Sequence, residues 1–182
     1  IKKTKGDRFM NKKIMYIITI LSTAVLLFLD QIAKYLAVLH LKGQAAIPII
    51  KNVFELQYLE NQGAAFGIMQ GKKTFFVIGT LIFLVIVGIL YHNIPLTKRF
   101  TPIRIVAVLI VAGAIGNMID RVVHQYVIDF FYFKLINFPI FNVADIYVVV
   151  ACILFILLML FYYKEAELGQ IFPFMKNKKA EE

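Results

Sequence analysis

The chain is short of the residues that most enzymes use for covalent or metal chemistry. It has one cysteine, Cys152, so no disulfide can form within it, and that residue reads as a small buried hydrophobe. Ser22 is the single serine and lies inside an apolar run. His40, His92 and His124 show no HExxH or other zinc spacing, which argues against a metal site. Charge is scarce too: 17% of residues are charged, well below the usual share in soluble domains. No internal repeat or low-complexity tract stands out.

What fills the chain instead is hydrophobic residues, 60% of its 182 positions. Four stretches are long enough to cross about 30 Å of hydrocarbon as helices of about 20 residues: Ile14–Val38, Thr74–Tyr91, Thr101–Ile119 and Val143–Tyr163. The first is too long for a signal-peptide core and lacks a small-residue cleavage site, so it is expected to remain as a span. Residues 1–9 are expected to be foreign to the natural protein, with Met10 as its start, and residues 164–182 to form a cytoplasmic tail after a 10–163 membrane domain.

Basic residues set the orientation. Lys2, Lys3, Lys5, Arg8, Lys12 and Lys13 precede the first span, Lys98 and Arg99 separate the second from the third, and Lys164, Lys176, Lys178 and Lys179 follow the fourth. Both termini are therefore placed in the cytoplasm, against the minority vote of Lys72 and Lys73. The formal charge of +9 is explained by basic clusters facing anionic lipid, and nucleic-acid binding is not expected.

The two long connections, 40–73 and 120–142, then fall outside. In the first, residues 53–60 alternate as a half-exposed strand would, with Phe54, Leu56 and Tyr58 on one side. The second carries Phe130, Phe131, Tyr132, Phe133, Phe138 and Phe141 and is expected to lie on the bilayer as a lid. The expected fold is an all-α integral membrane protein: four transmembrane helices, a small extracytoplasmic β-cradle, and an interfacial loop or helix.

Threaded this way, Asp30, Asp120, Asp129 and Asp145 reach one membrane face, and Asn61 and Gly63 reach it too. A carboxylate at membrane depth is costly and is a functional-site hypothesis by default. Asp30 has Lys34 one turn on, where an ion pair can form. Asp120 is followed by Arg121, a compensating charge that suits a helix-end anchor. Asp129 has only apolar neighbours, and Asp145 has no basic residue nearby in sequence. Two such carboxylates brought together can share one proton, as an aspartic peptidase requires; the alternative is that each is a solvated helix-end residue. Ser22 lies toward the inner half of its span, which excludes a serine protease at the outer face, and Cys152 lies ~10 Å deeper than Asp145 at about 1.5 Å per helical residue. Gly113 and Gly116 suit close helix packing. A small proton-coupled transporter is the competing class, and it predicts carboxylates spread through the bilayer depth and repeated halves.

LDQIAK with Asp30 and Lys34, NQGAAFG with Asn61 and Gly63, GAIGNMIDR with Gly116, Asn117, Asp120 and Arg121, VIDF with Asp129, and FNVAD with Asn142 and Asp145 together resemble lipoprotein signal peptidase, the type II signal peptidase of bacteria. The match spans nearly everything from Met10 to Tyr163. It implies an aspartic endopeptidase of the bacterial cytoplasmic membrane that cuts a diacylglyceryl-modified prolipoprotein before its lipidated cysteine. It also implies Asp129 and Asp145 as the catalytic pair, with Asp120 the residue to substitute if that mapping fails. Asp30, Lys34, Asn61, Gly63, Asn117, Asp120, Arg121 and Asn142 would bind substrate or support the site. No cofactor is implied, membrane lipids are the surroundings, and the protein is taken as a monomer.

Overall fold

The computed structural model describes residues 11–63 and 71–172. The expected start at Met10, the remnant at 1–9, the Ala64–Gly67 part of the NQGAAFG motif and the last residues of the tail lie outside the described residues. Four helical stretches are long and apolar enough to cross a membrane. Helix α1 covers Lys12–Leu41, α2 Lys73–Asn93, α3 Thr101–His124 and α4 Val143–Leu157, the last continuing through a π turn at Leu158–Tyr162. All four expected spans are found: α1 and α2 run one to three residues past their expected bounds at each end, α3 starts where expected and runs on to His124, and the fourth starts where expected and ends one residue short.

Local signals account for the helix ends. Asn11 caps α1 by accepting from the backbone N–H of Lys13 and Ile14. Pro102 sits in the first turn of α3, where its missing N–H costs nothing, and Gln125 ends that helix in the left-handed conformation at φ 75°. The 30 residues of α1 extend about 45 Å at about 1.5 Å each, more than the hydrocarbon needs, so its end stands clear of the bundle and meets the sheet.

Helix α3 is the central one, packed against α1, α2 and α4. Its glycines explain the close approach. A Cβ on Gly113 would lie 2.5 Å from the carbonyl oxygen of Ala144, and one on Gly116 would lie 2.6 Å from Asp30 Oδ2. Elsewhere the helices expose large apolar side chains such as Phe28, Val85 and Phe161, as expected where hydrocarbon is the solvent. Cys152, expected to be buried, is exposed on α4, where it meets that same apolar surroundings rather than a protein core.

The extramembrane part is a three-stranded antiparallel sheet ordered β1-β2-β3, with β1 at Ile47–Ile50, β2 at Phe54–Asn61 and β3 at Val127–Tyr132. The strand expected at 53–60 is β2. Strand β3 carries no alternation in the sequence to mark it, because its first four residues are all buried. It joins the two long connections: Leu59 pairs with Asp129 and Asn61 with Val127. Ile128 and Phe130 pack with Leu56 and Tyr58 against Ala37 and Leu41 of α1.

The aromatic run is therefore not a free lid. Phe141 returns alongside β3, exchanging backbone hydrogen bonds with Phe131, and its ring stacks on Phe133 at 5.7 Å. A 3-10 turn at Lys134–Ile136 supplies the interfacial element. At the opposite end of the bundle, the expected tail opens with a short helix, α5, at Glu165–Ile171. Ile171 joins the core around Tyr91, Phe100 and Tyr163, and Arg99 ties Glu167 to the end of α4.

Candidate active site

The N-terminus of α4 organises the site. Asn142 and Asp145 form a reciprocal capping box: the Asn142 side chain accepts from Asp145 N at 3.0 Å and Asp145 Oδ2 accepts from Asn142 N at 3.0 Å. Asp30 reaches across from α1 and accepts from Ala144 N at 2.9 Å. Amides left free by the helix geometry are thus met by two carboxylates, which the positive end of the helix dipole favours.

Asp30 is held in turn by Lys34. The ammonium lies 2.9 Å from Asp30 and 2.9 Å from Asp120 on α3, and donates to Asn117 Oδ1 at 3.0 Å. Asp30, Lys34 and Asp120 are all but fully buried. The Asp30–Lys34 pair is the one expected from their spacing. Asp120 differs from expectation: its partner is Lys34 and not Arg121, because α3 turns its Asp120 face toward α1. It also accepts from Ile128 N at 3.1 Å and Gln31 Nε2 at 3.1 Å, so it pins β3 to the bundle rather than anchoring a helix end in solvent.

Arg121 points the other way and donates to the Gly63 carbonyl at 3.1 Å and to its own helix at Asn117 O. It fixes the chain where it leaves β2. Gln31, which is not among the residues expected at the site, bridges Asp30, Asp120 and the Gly116 carbonyl. A glutamine next to an aspartate inside an otherwise apolar helix was the available signal.

Asp129 and Asp145 are brought together through asparagines. Asn142 Nδ2 donates to Asp129 Oδ1 at 2.7 Å, and Asn61 Nδ2 donates to Asp129 Oδ2 at 2.9 Å. Asn117 Nδ2 donates to Asp145 Oδ1 at 2.8 Å. Asn142 also donates to Asn117 Oδ1 at 3.0 Å, so Lys34 is linked through Asn117 to both carboxylates. Every asparagine expected at the site is in this network. Gly63 contributes its backbone, donating to Asn61 Oδ1 at 3.0 Å and so orienting the amide that meets Asp129.

Asp129 is only 2% exposed. Burial, and next the nearby charge of Asp145, push its carboxyl up to about 7, and the amides of Asn61 and Asn142 offset only part of this. A group so poised can hold or release a proton near neutral pH. Asp129 and Asp145 face a cleft of about 470 Å³ whose walls include Asn61, Arg121, Phe141, Ile146 and Val149. Among the described residues, no three His, Cys, Asp or Glu side chains are grouped so as to hold a metal ion. The arrangement suits proton transfer to and from a water and a carbonyl held between two carboxyl groups.

The chain is similar over most of its length to known proteins. The family model described as signal peptidase (SPase) II matches residues 22–161. Lipoprotein signal peptidase of Clostridium novyi (strain NT) is 44% identical over 139 residues, covering 74% of this chain and 91% of that protein. The same enzyme of Clostridioides difficile (strain 630) is 40% identical over 148 residues, covering 81% and 96%. A bacterial membrane enzyme solved by the in meso method at 2.3 Å superposes with a TM-score of 0.69 at 30% identity, covering 86% of this chain and 93% of that one.

Proposed function

The chain belongs to the signal peptidase II family, multi-pass membrane peptidases that remove signal peptides from prolipoproteins, and from that premise we propose that it works as an aspartic endopeptidase with Asp129 and Asp145 as its pair. One observation carries the assignment: Asn142 bonds to both carboxylates at once, by its side chain to Asp129 at 2.7 Å and by its backbone to Asp145 at 3.0 Å. Asp120 is the weaker candidate, since its oxygens are taken by Lys34, Gln31 and the Ile128 amide.

In this mechanism the pair shares one proton, because two adjacent carboxylates do not both ionise easily. The ionised member takes a proton from a water lying between them, and that water attacks the scissile carbonyl. The protonated member polarises the carbonyl oxygen and then returns a proton to the leaving amine. Asn61, Asn117 and Asn142 keep each carboxylate turned into the cleft, and Lys34 stabilises the negative charge through Asn117. The scissile bond is the one before a diacylglyceryl-modified cysteine. Its acyl chains stay in the membrane against Ile146, Val149 and Val150, which line the cleft on α4.

The site lies at the outer face and both termini in the cytoplasm. Lys12, Lys13, Lys98, Arg99 and Lys164 mark the end of the bundle opposite the aspartates, as the positive-inside rule requires. Residues 10–163 act as one membrane domain in a bacterial cytoplasmic membrane. The chain is taken to act as a monomer. The carrier alternative has no observation in its favour, since the four carboxylates gather at one end of the bundle.

The test is a gel-shift cleavage assay in detergent micelles with a diacylglyceryl-modified prolipoprotein. Asp129→Asn and Asp145→Asn are each expected to lose at least about a hundredfold in rate, while Asp120→Asn retains partial activity. Cleavage by Asp129→Asn with none by Asp120→Asn would move the pair to Asp120 and Asp145.

A further inference from the structure

Beyond the cleft that holds the two aspartates lies a second depression of about 600 Å³, and the two share Asn61 and the Phe138–Ile140 ridge. Their characters differ. The first is walled on the membrane side by Ile146, Val149 and Val150. The second runs out over β2 and is lined by Gln57, Gln62, Tyr132 and Asn137. The lining therefore changes from mostly apolar in the cleft that holds Asp129 to mixed and richer in amides in the depression beyond Asn61.

A prolipoprotein has the same asymmetry. On the reading above, its signal segment and acyl chains remain in lipid, while the residues after the lipidated cysteine belong to a chain destined for water. From Asn61 to Gln57 is four positions along β2, about 13 Å at roughly 3.3 Å per residue, enough for about four extended substrate residues.

We propose that the groove formed by Gln57, Gln62 and Asn137 is a binding site for the first residues of the mature lipoprotein, held extended as they leave the two aspartates. Side-chain amides both donate and accept, so they can bond a peptide backbone whatever its side chains are. Gln57 and Gln62 are exposed at the groove. The amide of Asn137 is oriented by Tyr132, whose hydroxyl donates to Asn137 Oδ1 at 2.7 Å and leaves the amide N–H groups for a ligand carbonyl. Glu60, also at the groove, is neutralised by Lys42 at 2.7 Å. The site thus selects for polarity rather than for charge of one sign.

This inference rests on the proposed cleavage site, and the experiment separates the two. Two synthetic substrates share the signal segment and the diacylglyceryl cysteine; one ends there as an amide and the other continues for four small polar residues. For the parent protein in micelles, kcat/KM is expected to favour the longer substrate about tenfold, the worth of one or two hydrogen bonds. In Gln57→Ala/Gln62→Ala that long-to-short ratio falls toward one. A parent without length preference, a double variant that keeps the parent's ratio, or one that loses both substrates in equal proportion would each overturn the proposal. Asp145→Asn is run in parallel: if it cleaves, the catalytic reading has failed, and if it is inert while the ratio is unmoved, the groove alone has failed.

Discussion

Lys34 holds more of the site together than either aspartate of the proposed pair. An ammonium has three N–H groups, and all three are used, on Asp30, Asp120 and Asn117. Lys34→Met keeps an unbranched side chain as far as Cε and removes the ammonium, leaving two carboxylates that are 0% and 1% exposed. Removing one partner of a buried ion pair costs ~3–5 kcal/mol. The lower end of that range applies, because Asp30 keeps the amide of Ala144, Asp120 keeps that of Ile128, and Gln31 donates to both. At roughly 2–4 °C per kcal/mol for a chain of this size, the unfolding midpoint should fall by about 10 °C. Circular dichroism during heating in detergent micelles measures it. A midpoint within about 2 °C of the parent would refute the reasoning. Asp30→Asn/Lys34→Met/Asp120→Asn removes the stranded charges and should recover more than half of the loss; if it does not, packing rather than charge is what Lys34 supplies.

The proton on Asp129 sets a pH dependence. Its folded value of about 7 stands above the ordinary carboxyl value of about 4, so between those limits the folded state binds more protons than the unfolded chain. The stabilising contribution of this group is therefore complete below pH ~4 and is lost as pH rises toward ~7; Asp129→Asn, neutral throughout, should show a smaller fall in stability over that window. Because the pair needs one shared proton, kcat should decline above a pH of about 7, and a rate still flat at pH 9 would count against the mechanism. Gly113→Ala forces a Cβ to within 2.5 Å of the Ala144 carbonyl oxygen, whereas Gly79→Ala meets nothing within 4 Å. The first should cost ~1–3 kcal/mol and lower cleavage by displacing the α4 end that carries Asp145, the second should do neither, and equal melting of the two would sink the close-packing account.

The sequence carried much of this protein on its surface. Continuous apolar runs leave few choices in a bilayer, since a backbone without water must bond to itself, and so the four helices were legible almost to their ends. The polar residues that converge were legible too, because a carboxylate inside such a run is too costly to be incidental, and the five motifs contain the aspartates and asparagines that meet in one network. Pairing was less accessible. That Asp120 belongs to Lys34 rather than to its neighbour Arg121 follows from the rotation of α3 against α1, a relation between helices 80 or more residues apart, so adjacency in sequence misled. That VIDF is a strand, and the aromatic run a paired return rather than a lid, depended on contact with β2, which a fully buried segment does not announce by alternation. Composition and spacing dictate which groups enter the membrane and at which end of the bundle they gather, because those are matters of transfer from water. Which of them touch is a matter of helix rotation and strand register, and those are settled only when all the surfaces pack at once.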